Sequence, residues 1–465
     1  MNSLFTIGQV VETVAGTLSD ETADRRVRPV VGVSTDSRTV KQDELFVALA
    51  GDRFDGHDFV PAALAAGAAG AIVAETWYRE HAREISQQAP VIVVPDPLMA
   101  LQTLAAAYRS RFALPVVGIT GTNGKTTTKE MTAAILSKRF RTLKTPGNLN
   151  SQVGVPLVLF QLGPAYEVAV LELSMSQPDE LTRLARMARP TVGVITNVGP
   201  AHLEFLGSVE AVARAKGELL DSLPDDGTAI LNADDPLVMA QRHRTTARLL
   251  TFGLTPAAAV RAVDIEMELA GTTFRLTDGP AFRLNIPGCH HVANALAAIA
   301  VGRVFGVDVG AMQEALAGVQ PFAMRMEYRV VDGLHLINDA YNANPVSARA
   351  ALRTLANART GRRIAVMGDM LELGAESEQA HREVGRAVAG AADVLITVGE
   401  RARQIADGAR EAGMDERAIL VCQKNDDASV RIRACAKPGD IILIKGSRGM
   451  KMEDIVAALT AAGTG

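Results

Sequence analysis

The spacing of apolar residues along the chain predicts alternating strands and helices. Near the N-terminus, apolar residues at helical spacing predict one amphipathic helix, carried by Val10, Val11, Val14 and Leu18. Short apolar runs then predict strands at residues 45–49 and 91–94. Between them, the apolar stretch 59–74 is interrupted by proline and glycine and predicts a short helix that leads into a strand.

A central block of alternating strands and helices begins at about residue 114. Its strands are predicted at residues 116–120, 168–173, 192–197 and 229–232. A strand-like segment at 272–284 and an alanine-rich helix from about Val292 complete it. This alternation predicts a mostly parallel sheet.

A third block begins near Pro321 and repeats the same alternation. Its strands are predicted at residues 334–338, 364–367, 394–398 and 441–444, with helices between them. The pattern is typical of a second, smaller doubly wound domain. At about 150 residues per domain, a chain of 465 residues holds three domains. We predict their bounds at 1–110, 111–320 and 321–465.

The composition is that of a globular protein. Charged residues make up 22% of the chain, both signs are interspersed and the net charge is −4, so no nucleic-acid partner is expected. The three cysteines are widely spaced, which argues against a disulfide framework or a zinc site. Neither a signal peptide nor a membrane span is predicted, and we expect a cytoplasmic monomer.

The most specific motif is a glycine-rich loop between a predicted strand and a predicted helix. Its glycines let backbone N–H groups surround phosphate oxygens, Lys125 can reach the β/γ-phosphates and Thr126 can hold Mg²⁺. The strict phosphate-loop motif has glycine where Ile119 stands, so an ordinary glycine-rich turn is the alternative. The order of strand, loop and helix favours an ATP site formed by Gly121, Thr122, Asn123, Gly124, Lys125, Thr126 and Thr127.

Polar residues follow several predicted strands of the central block. Glu172 ends one strand and is placed as a magnesium carboxylate, Asn197 and the loop to His202 follow a second, and Asn232 ends a third. Singly, each could be a solvated carboxylate, a structural histidine or a turn residue. Because ligands bind at the carboxyl ends of parallel strands, their convergence predicts a nucleotide and metal site.

A lysine interrupts the apolar face of one predicted helix. That face is formed by Val209, Val212, Lys216, Leu219 and Leu223. A lysine in this position either extends its ammonium to water along the apolar surface or is functional.

Taken together, these segments resemble the Mur ligases, which build the peptide stem of bacterial cell-wall precursors. The resemblance covers nearly the whole chain and rests on residues 120–126, the Glu172 strand, 197–204, 215–218, 231–236, 290–295, 325–327 and the C-terminal block. Other segments resemble the member that adds a dipeptide: residues 34–38, 54–58, 147–150, 339–345, 368–374 and 445–448. The Asp-Asn-Pro-Arg signature of the diaminopimelate-adding member is absent.

The resemblance implies an α/β fold of three domains and assigns a ligand to each. A small α/β N-terminal domain would bind the UDP-sugar through Ser34, Thr35, Asp36, Ser37, Arg38, Arg53, Phe54, Asp55, Gly56, His57 and Asp58, joined by Asn148 and Asn150. A central P-loop-type ATPase domain with a mostly parallel sheet would bind ATP, with further contacts from Asn232, Asn294, Arg325 and Asp339. A C-terminal Rossmann-like α/β domain would bind the dipeptide through Asn342, Asn344, Ser447 and Arg448.

The resemblance also implies the catalytic and metal-binding residues. Lys125, Glu172, His202 and Lys216 would be catalytic, and two Mg²⁺ ions would be held by Thr126, Glu172, His202 and Lys216. Lys216 would act as a carbamate, since an apolar surround favours the neutral amine that can add CO₂.

The implied reaction is ATP-dependent peptide ligation. The terminal carboxylate of a UDP-N-acetylmuramoyl-tripeptide attacks the γ-phosphate, and the amine of D-alanyl-D-alanine displaces phosphate from the acyl phosphate, giving the pentapeptide precursor of peptidoglycan. Closing domains would exclude water. The alternatives are a folate polyglutamate-adding or other related ligase, a P-loop phosphotransferase such as a kinase, and a P-loop regulatory protein.

Overall fold

The computed structural model describes residues 3–19, 22–51, 54–82, 85, 89–358 and 361–461. Two compact units contain these residues. The first comprises residues 1–118, 140–174 and 180–191, and the second comprises residues 119–139, 175–179 and 192–465. Each unit is therefore assembled from separate stretches of the chain.

Strands and helices alternate over much of the described chain, interrupted by runs of consecutive strands. The strands are β1 (Phe5–Thr6), β2 (Thr17–Leu18), β3 (Pro29–Val30), β4 (Gly32–Ser34), β5 (Glu44–Val47), β6 (Gly70–Ala74), β7 (Val91–Val94), β8 (Val116–Thr120), β9 (Thr142–Lys144), β10 (Val168–Glu172), β11 (Val192–Ile195), β12 (Thr228–Asn232), β13 (Arg248–Gly253), β14 (Val260–Glu268), β15 (Gly271–Leu276), β16 (Ala281–Leu284), β17 (Glu327–Val331), β18 (Leu334–Asp339), β19 (Arg363–Gly368), β20 (Val394–Val398), β21 (Ile419–Cys422) and β22 (Ile441–Lys445). The helices are α1 (Ile7–Val14), α2 (Ala23–Arg26), α3 (Val60–Ala65), α4 (Glu75–His81), α5 (Pro97–Arg109), α6 (Lys125–Leu136), α7 (Gly154–Leu159), α8 (Glu180–Ala188), α9 (Leu203–Leu206), α10 (Val209–Asp221), α11 (Pro236–Met239), α12 (Cys289–Val304), α13 (Val309–Gly318), α14 (Pro345–Ala356), α15 (Ser377–Ala389), α16 (Arg403–Glu411), α17 (Asn425–Cys435) and α18 (Glu453–Ala461). Within this part of the chain, each helix falls short of the length and apolarity that crossing a bilayer requires.

The first unit contains a five-stranded sheet in the order β2-β7-β6-β5-β4. Strands β4 to β7 pair in parallel and β2 pairs antiparallel with β7. The same unit holds the antiparallel pair β1–β3 and the parallel pair β9–β10. One face of the five-stranded sheet buries an apolar cluster that includes Phe46, Val60, Val73 and Val91.

Helix α1 is shorter than its apolar spacing predicted. Thr6 caps its N-terminus in a reciprocal hydrogen-bond pair with Gln9, which fixes its start. The helix ends at Val14 because Ala15 adopts a left-handed conformation with φ of 50°. Leu18 therefore lies in β2 and not on the helix, so its predicted helical position was wrong.

The second unit contains two sets of parallel strands. Strands β11 to β14 pair in parallel, and β14, β15 and β16 continue antiparallel. A six-stranded sheet has the order β17-β18-β22-β19-β20-β21, in which only β17 is antiparallel to its neighbour. The mostly parallel arrangement predicted for both blocks is confirmed. The predicted segment 272–284 forms two strands, β15 and β16, separated by a turn.

Candidate active site

The glycine-rich loop connects β8 to α6, and two of its positions require glycine. Gly121 has φ of 150° and Gly124 has φ of 80°, a range that side chains rarely adopt. A Cβ on Gly121 would lie 1.9 Å from Thr196 Oγ1, and one on Gly124 would lie 2.2 Å from Asn294 Oδ1. Close packing on both sides therefore leaves no space for a larger residue.

The segment that follows β11 fixes the conformation of this loop. The backbone N–H of Asn123 donates to Asn197 Oδ1 at 2.9 Å, and Asn197 Nδ2 donates to the Asn123 carbonyl at 3.0 Å. Thr196 Oγ1 donates to the same carbonyl at 2.6 Å, and the Thr122 N–H donates to the Asn197 carbonyl at 2.9 Å. The loop is thus preformed, as a phosphate site requires.

Helix α6 places the first residues after the loop. Lys125 begins the helix, and its ammonium folds back to donate to the carbonyls of Gly121 at 2.7 Å and Thr122 at 3.2 Å. Thr126 is half-buried in the first turn, and Thr127 is buried. Lys125 and Thr126 therefore both occupy the helix N-terminus, where phosphates and their cations bind.

Two asparagines predicted to lie near the nucleotide base contact the residues around the loop. Asn232 ends β12, and its Nδ2 donates to the Thr196 carbonyl at 2.9 Å. Asn294 lies on α12, and its Oδ1 accepts from Thr128 Oγ1 at 3.3 Å. Both asparagines are buried. Asn232, at the end of β12, and Asn294, on α12, therefore both contact residues next to the loop, and their role at the nucleotide base stays a prediction.

Lys216 is buried on α10, with 3% of the residue exposed. A lysine that extended its ammonium to water would be more exposed than this. Burial lowers the pKa of Lys216 well below its ordinary value, and the charge of Lys125 acts in the same direction. Buried Lys129, in contrast, has a carboxylate partner, since its Nζ lies 2.8 Å from Glu130 Oε1. The Lys216 side chain is therefore suited to a neutral amine.

His202 precedes α9 in a left-handed conformation with φ of 55°. Its Nδ1 lies 3.0 Å from Glu372 Oε2, which is an ion-pair distance, but the angle is not that of a hydrogen bond. Burial lowers the pKa of His202; Glu372 opposes this effect, and the charges of Lys216 and Lys125 add to it. Lys125, Lys216 and His202 thus share one electrostatic environment.

Glu172 ends β10 in the first unit and is 2% exposed. Its Oε1 accepts from Asn150 Nδ2 at 2.7 Å, and its backbone N–H donates to Thr145 Oγ1 at 3.0 Å. Oε2 is buried and has no hydrogen-bond partner among the described residues. A buried, unpartnered carboxylate oxygen is unfavourable by itself and suits a hard cation. Asn150, predicted to contact the sugar, contacts Glu172 in this structure.

Asp339, predicted to contact ATP, ends β18 in a polar cluster. Its Oδ2 lies 2.5 Å from Lys445 Nζ, and its Oδ1 accepts from the Met326 N–H at 3.1 Å. Lys445 is 2% exposed and also donates to the Asn342 carbonyl at 2.9 Å. The lysine therefore joins a predicted ATP residue to the loop predicted to bind the dipeptide.

Arg325 and Arg448, one predicted for ATP and one for the dipeptide, both approach the ring of Tyr341. The guanidinium carbon of Arg325 lies 3.9 Å from the ring centroid, and that of Arg448 lies 5.9 Å from it. Arg448 also pairs with Glu453 at 2.6 Å, while buried Ser447 donates to the Ala343 carbonyl at 3.2 Å. One aromatic ring thus holds both arginines.

Asn344 is the N-cap of α14 and also contacts the phosphate loop. Its Oδ1 accepts from the Ser347 N–H at 2.9 Å, and its Nδ2 donates to Asn123 Oδ1 at 2.7 Å. In this structure its polar atoms therefore serve the helix and the loop. Neighbouring Asn342 is exposed, and its Oδ1 accepts from the Ala343 N–H at 2.9 Å.

The segments predicted to bind the UDP-sugar lie in the first unit. Asp36 accepts a bidentate contact from Arg38, at 2.9 and 2.7 Å, and the hydrogen bonds from Arg38 lower the pKa of Asp36 to about 2. Buried His57 lies 2.5 Å from Asp55 and accepts from the Ala74 N–H at 3.0 Å. The other predicted residues range from buried Ser34 through half-buried Thr35, Ser37 and Gly56 to exposed Phe54, Asp58 and Asn148. Arg53 lies outside the described residues.

Four residues of the second unit lie next to predicted site residues but were not themselves predicted from the sequence. They are Glu372, Lys445, Tyr341 and His291. Glu372, Tyr341 and Lys445 fall in segments that resemble the dipeptide-adding member, which was the available signal. His291 is 4% exposed, and its Nε2 has no hydrogen-bond partner among the described residues, a property that only the structure reveals.

Comparison with known proteins gives matches along nearly the entire chain. The family models described as Mur ligase family, catalytic domain, as Mur ligase middle domain and as Mur ligase, glutamate ligase domain match residues 29–109, 119–302 and 324–448. Together with the solved structures below, they confirm the predicted α/β fold of three domains, although the exact bounds remain predictions.

Curated relatives and solved structures agree with these models. The UDP-N-acetylmuramoyl-tripeptide–D-alanyl-D-alanine ligase of Bacillus subtilis is 38% identical over 98% of both chains. A crystal structure of MurF from Acinetobacter baumannii has a TM-score of 0.88 and 32% identity, covering 98% of this chain and 99% of that one. MurF ligase from Thermotoga maritima in complex with ADP has a TM-score of 0.81 and 28% identity, covering 92% and 97%. The chain therefore belongs to the Mur ligase family and is an ATP-dependent ligase.

Proposed function

We propose that this enzyme joins D-alanyl-D-alanine to UDP-N-acetylmuramoyl-tripeptide at the expense of ATP. The observation that carries the proposal is the 38% identity, over 98% of both chains, to a relative that bears this name. The preformed phosphate loop, with Lys125 at the start of α6, supports the use of ATP. We also propose that the enzyme works in the cytoplasm and as a monomer.

The chemistry proceeds in two steps. The terminal carboxylate of the tripeptide attacks the γ-phosphorus, and the bond from that phosphorus to the bridging oxygen breaks, releasing ADP and leaving an acyl phosphate. The free amine of the dipeptide then attacks the acyl carbon, loses a proton and expels inorganic phosphate. Lys125 offsets the charge that develops on the transferred phosphoryl group.

We further propose that Mg²⁺ ions take part in this chemistry. Buried Glu172 offers an oxygen that has no hydrogen-bond partner among the described residues, and Thr126 lies in the first turn after the loop. Glu172, Thr126 and a modified Lys216 would supply the oxygen ligands that Mg²⁺ prefers, and His202 would supply a ring nitrogen. When bound, the ions neutralise phosphate charge.

Lys216 is proposed to carry a carbamate. The neutral amine adds to the carbon of CO₂ and releases a proton, which gives the buried side chain an anionic group with two oxygens. The support is its burial and its lowered pKa, since each disfavours an ammonium at this position.

The remaining predicted contacts complete the proposal. ATP is bound by the loop residues with Asn232, Asn294, Arg325 and Asp339. The dipeptide is bound by Asn342, Asn344, Ser447 and Arg448, whose guanidinium suits a carboxylate. The UDP-sugar is bound by residues 34–38, 53–58, Asn148 and Asn150.

Phosphate release tests this function. We expect the purified protein to release phosphate from ATP only when both UDP-N-acetylmuramoyl-tripeptide and D-alanyl-D-alanine are present. A kinase would instead accumulate a phosphorylated acceptor without the dipeptide, and a regulatory protein would show no turnover. Equal activity with D-glutamate or diaminopimelate in place of the dipeptide would show another amine donor. Tripeptides ending in lysine and in diaminopimelate establish the third residue.

Two variants test the assigned roles. Lys125→Ala should abolish turnover while the affinity for the UDP-sugar is nearly unchanged, and a large loss of that affinity would contradict the assignment. Lys216→Ala should lose most activity and regain part of it with formate or acetate, whereas Lys216→Arg should not be active. Lys129→Ala, which also removes a buried lysine, should not respond to formate. A fully active Lys216→Ala would exclude the carbamate role.

A further inference from the structure

Two residues that face each other in the second unit share an unusual backbone conformation. His202 has φ of 55° and Glu372 has φ of 62°, although neither is glycine. A left-handed conformation is unfavourable for a residue with a side chain, because its Cβ approaches the following carbonyl oxygen. Such strain persists where the surrounding structure imposes it, and it is concentrated at functional sites. Both residues are therefore held in a strained conformation by the structure around them.

The loop that carries Glu372 is firmly anchored just before that residue. The Met370 N–H donates to buried His381 Nε2 at 3.0 Å, and the Leu371 N–H donates to buried Ser447 Oγ at 2.8 Å. The Ser447 N–H in turn donates to the Asp369 carbonyl at 3.0 Å. Glu372 therefore follows an anchored stretch of backbone, and 56% of its side chain is exposed.

The carboxylate of Glu372 lies next to the ring of His202. Glu372 Oε2 lies 3.0 Å from His202 Nδ1, and a Cβ on Gly374 would lie 3.6 Å from Glu204 Cα, so the two loops pack closely. The charges of Lys125 and Lys216 also lower the pKa of His202. The imidazole therefore contacts the Glu372 carboxylate and lies within electrostatic range of both lysines of the candidate active site.

We propose that Glu372 is a positioning residue that accepts a hydrogen bond from the Nδ1–H of His202 and leaves Nε2 unprotonated, as a ligand for the divalent cation. This inference rests on the proposed function, which requires that cation. Histidine ligands commonly donate their second ring N–H to a carboxylate, which fixes the tautomer and the ring orientation. The angle at Nδ1 is not yet that of a hydrogen bond, and such contacts often tighten once the ligands are bound.

Glu372 and His202 belong to different domain matches, which gives their contact a second consequence. Glu372 belongs to the C-terminal block, matched by the glutamate ligase domain model, and His202 belongs to the middle-domain match. His202 is therefore oriented only when the C-terminal loop is seated against it. The cation site is then complete only when the block proposed to supply the amine is in place, which limits hydrolysis of the acyl phosphate.

Two nearly isosteric substitutions test the hydrogen bond directly. Gln keeps an acceptor oxygen at position 372, and Met has a similar length without one. We expect Glu372→Met to weaken Mn²⁺ binding at least tenfold, measured by electron paramagnetic resonance with a non-hydrolysable ATP analogue present. Glu372→Gln should stay within about threefold of the wild type, and so should Glu376→Ala, which removes an exposed carboxylate from the same loop.

The kinetic readout separates positioning from a general structural role. Glu372→Met should lower kcat at least tenfold while the KM for the UDP-sugar is unchanged, and Glu372→Gln should restore most of the rate. Wild-type Mn²⁺ affinity in Glu372→Met, or equal losses in Met and Gln, would overturn the proposal. Should either variant not fold, Glu372→Asp provides the test. Its shorter side chain withdraws the carboxylate from His202, so this variant should bind Mn²⁺ as weakly as Glu372→Met is expected to. Wild-type affinity in Glu372→Asp would contradict the proposal. If the wild type forms no peptide bond but the Mn²⁺ results are as expected, the proposed function is wrong and the positioning role of Glu372 stands. The two can be separated because the binding measurement needs no acceptor substrate.

Discussion

Lys445 and Asp339 are register partners on two adjacent parallel strands, and their side chains form a buried ion pair. Nζ lies 2.5 Å from Oδ2, with 2% of the lysine side chain and 14% of the aspartate side chain exposed. The ammonium also donates to the Asn342 carbonyl. This pair joins the ends of β18 and β22 to the loop proposed to bind the dipeptide.

Breaking this pair should be costly. Lys445→Met leaves the Asp339 charge buried without its partner, and we expect the free energy of unfolding in urea to fall by about 3–5 kcal/mol. The KM for ATP should also rise, because Asp339 loses its orientation. The control is Arg363→Met, which breaks the half-exposed Arg363–Asp393 pair of the same sheet and should cost about 1 kcal/mol or less. Equal effects of the two substitutions would contradict a special role for Lys445.

Gly124 should not tolerate a side chain. Gly124→Ala places a Cβ 2.2 Å from Asn294 Oδ1 in a left-handed conformation, so the loop or the Asn294 side chain must shift. We expect at least a tenfold loss of affinity for ATP, measured by calorimetry. Gly390→Ala is the matched control, because nothing lies within 4 Å of its Cβ. Unchanged ATP affinity in Gly124→Ala would mean that the loop does not bind phosphate.

The ring of Tyr341 should matter more than its hydroxyl. Tyr341→Leu removes the aromatic face that lies 3.9 Å from Arg325, an interaction of about 0.5–1 kcal/mol or more. We expect the KM for ATP to rise severalfold. Tyr341→Phe keeps the ring and should behave as the wild type. If Phe is as impaired as Leu, the contact with Arg325 is not the cause.

His381 should make the stability depend on pH. Burial lowers its pKa from the ordinary value of 6.5, so the folded protein holds the imidazole neutral while the unfolded chain protonates it first. The stabilisation is therefore complete above pH 6.5 and is lost as pH falls below it, by at most about 1.4 kcal/mol per pH unit. His381→Gln can keep the contacts to Met370 and Ser377. Between pH 7.5 and pH 5, which lie about one unit or more on either side of 6.5, its urea midpoint should fall less than that of the wild type.

A surface histidine provides the control for this measurement. His243 is exposed, and His243→Gln should leave the pH dependence of the urea midpoint unchanged. The prediction for His381 fails if its Gln variant loses stability with falling pH as steeply as the wild type does.

The sequence by itself determined the parallel α/β character, the phosphate loop and the family. These features are local or periodic, because apolar runs of a few residues specify buried strands and a glycine-rich turn before a helix specifies a phosphate site. Strands β8, β7 and β20 were predicted to the residue. Helix α1 was overextended, because the left-handed turn at Ala15 does not appear in an apolar periodicity.

Only the tertiary structure decided which polar groups meet. Lys445 and Asp339 are 106 positions apart, and Asn123 and Asn344 are 221 apart, so no local pattern links either pair. The burial of Lys216 and the approach of Glu372 to His202 likewise depend on how separate elements pack. The physical reason is that desolvation and charge pairing act between neighbours in space, and the sequence records only neighbours along the chain.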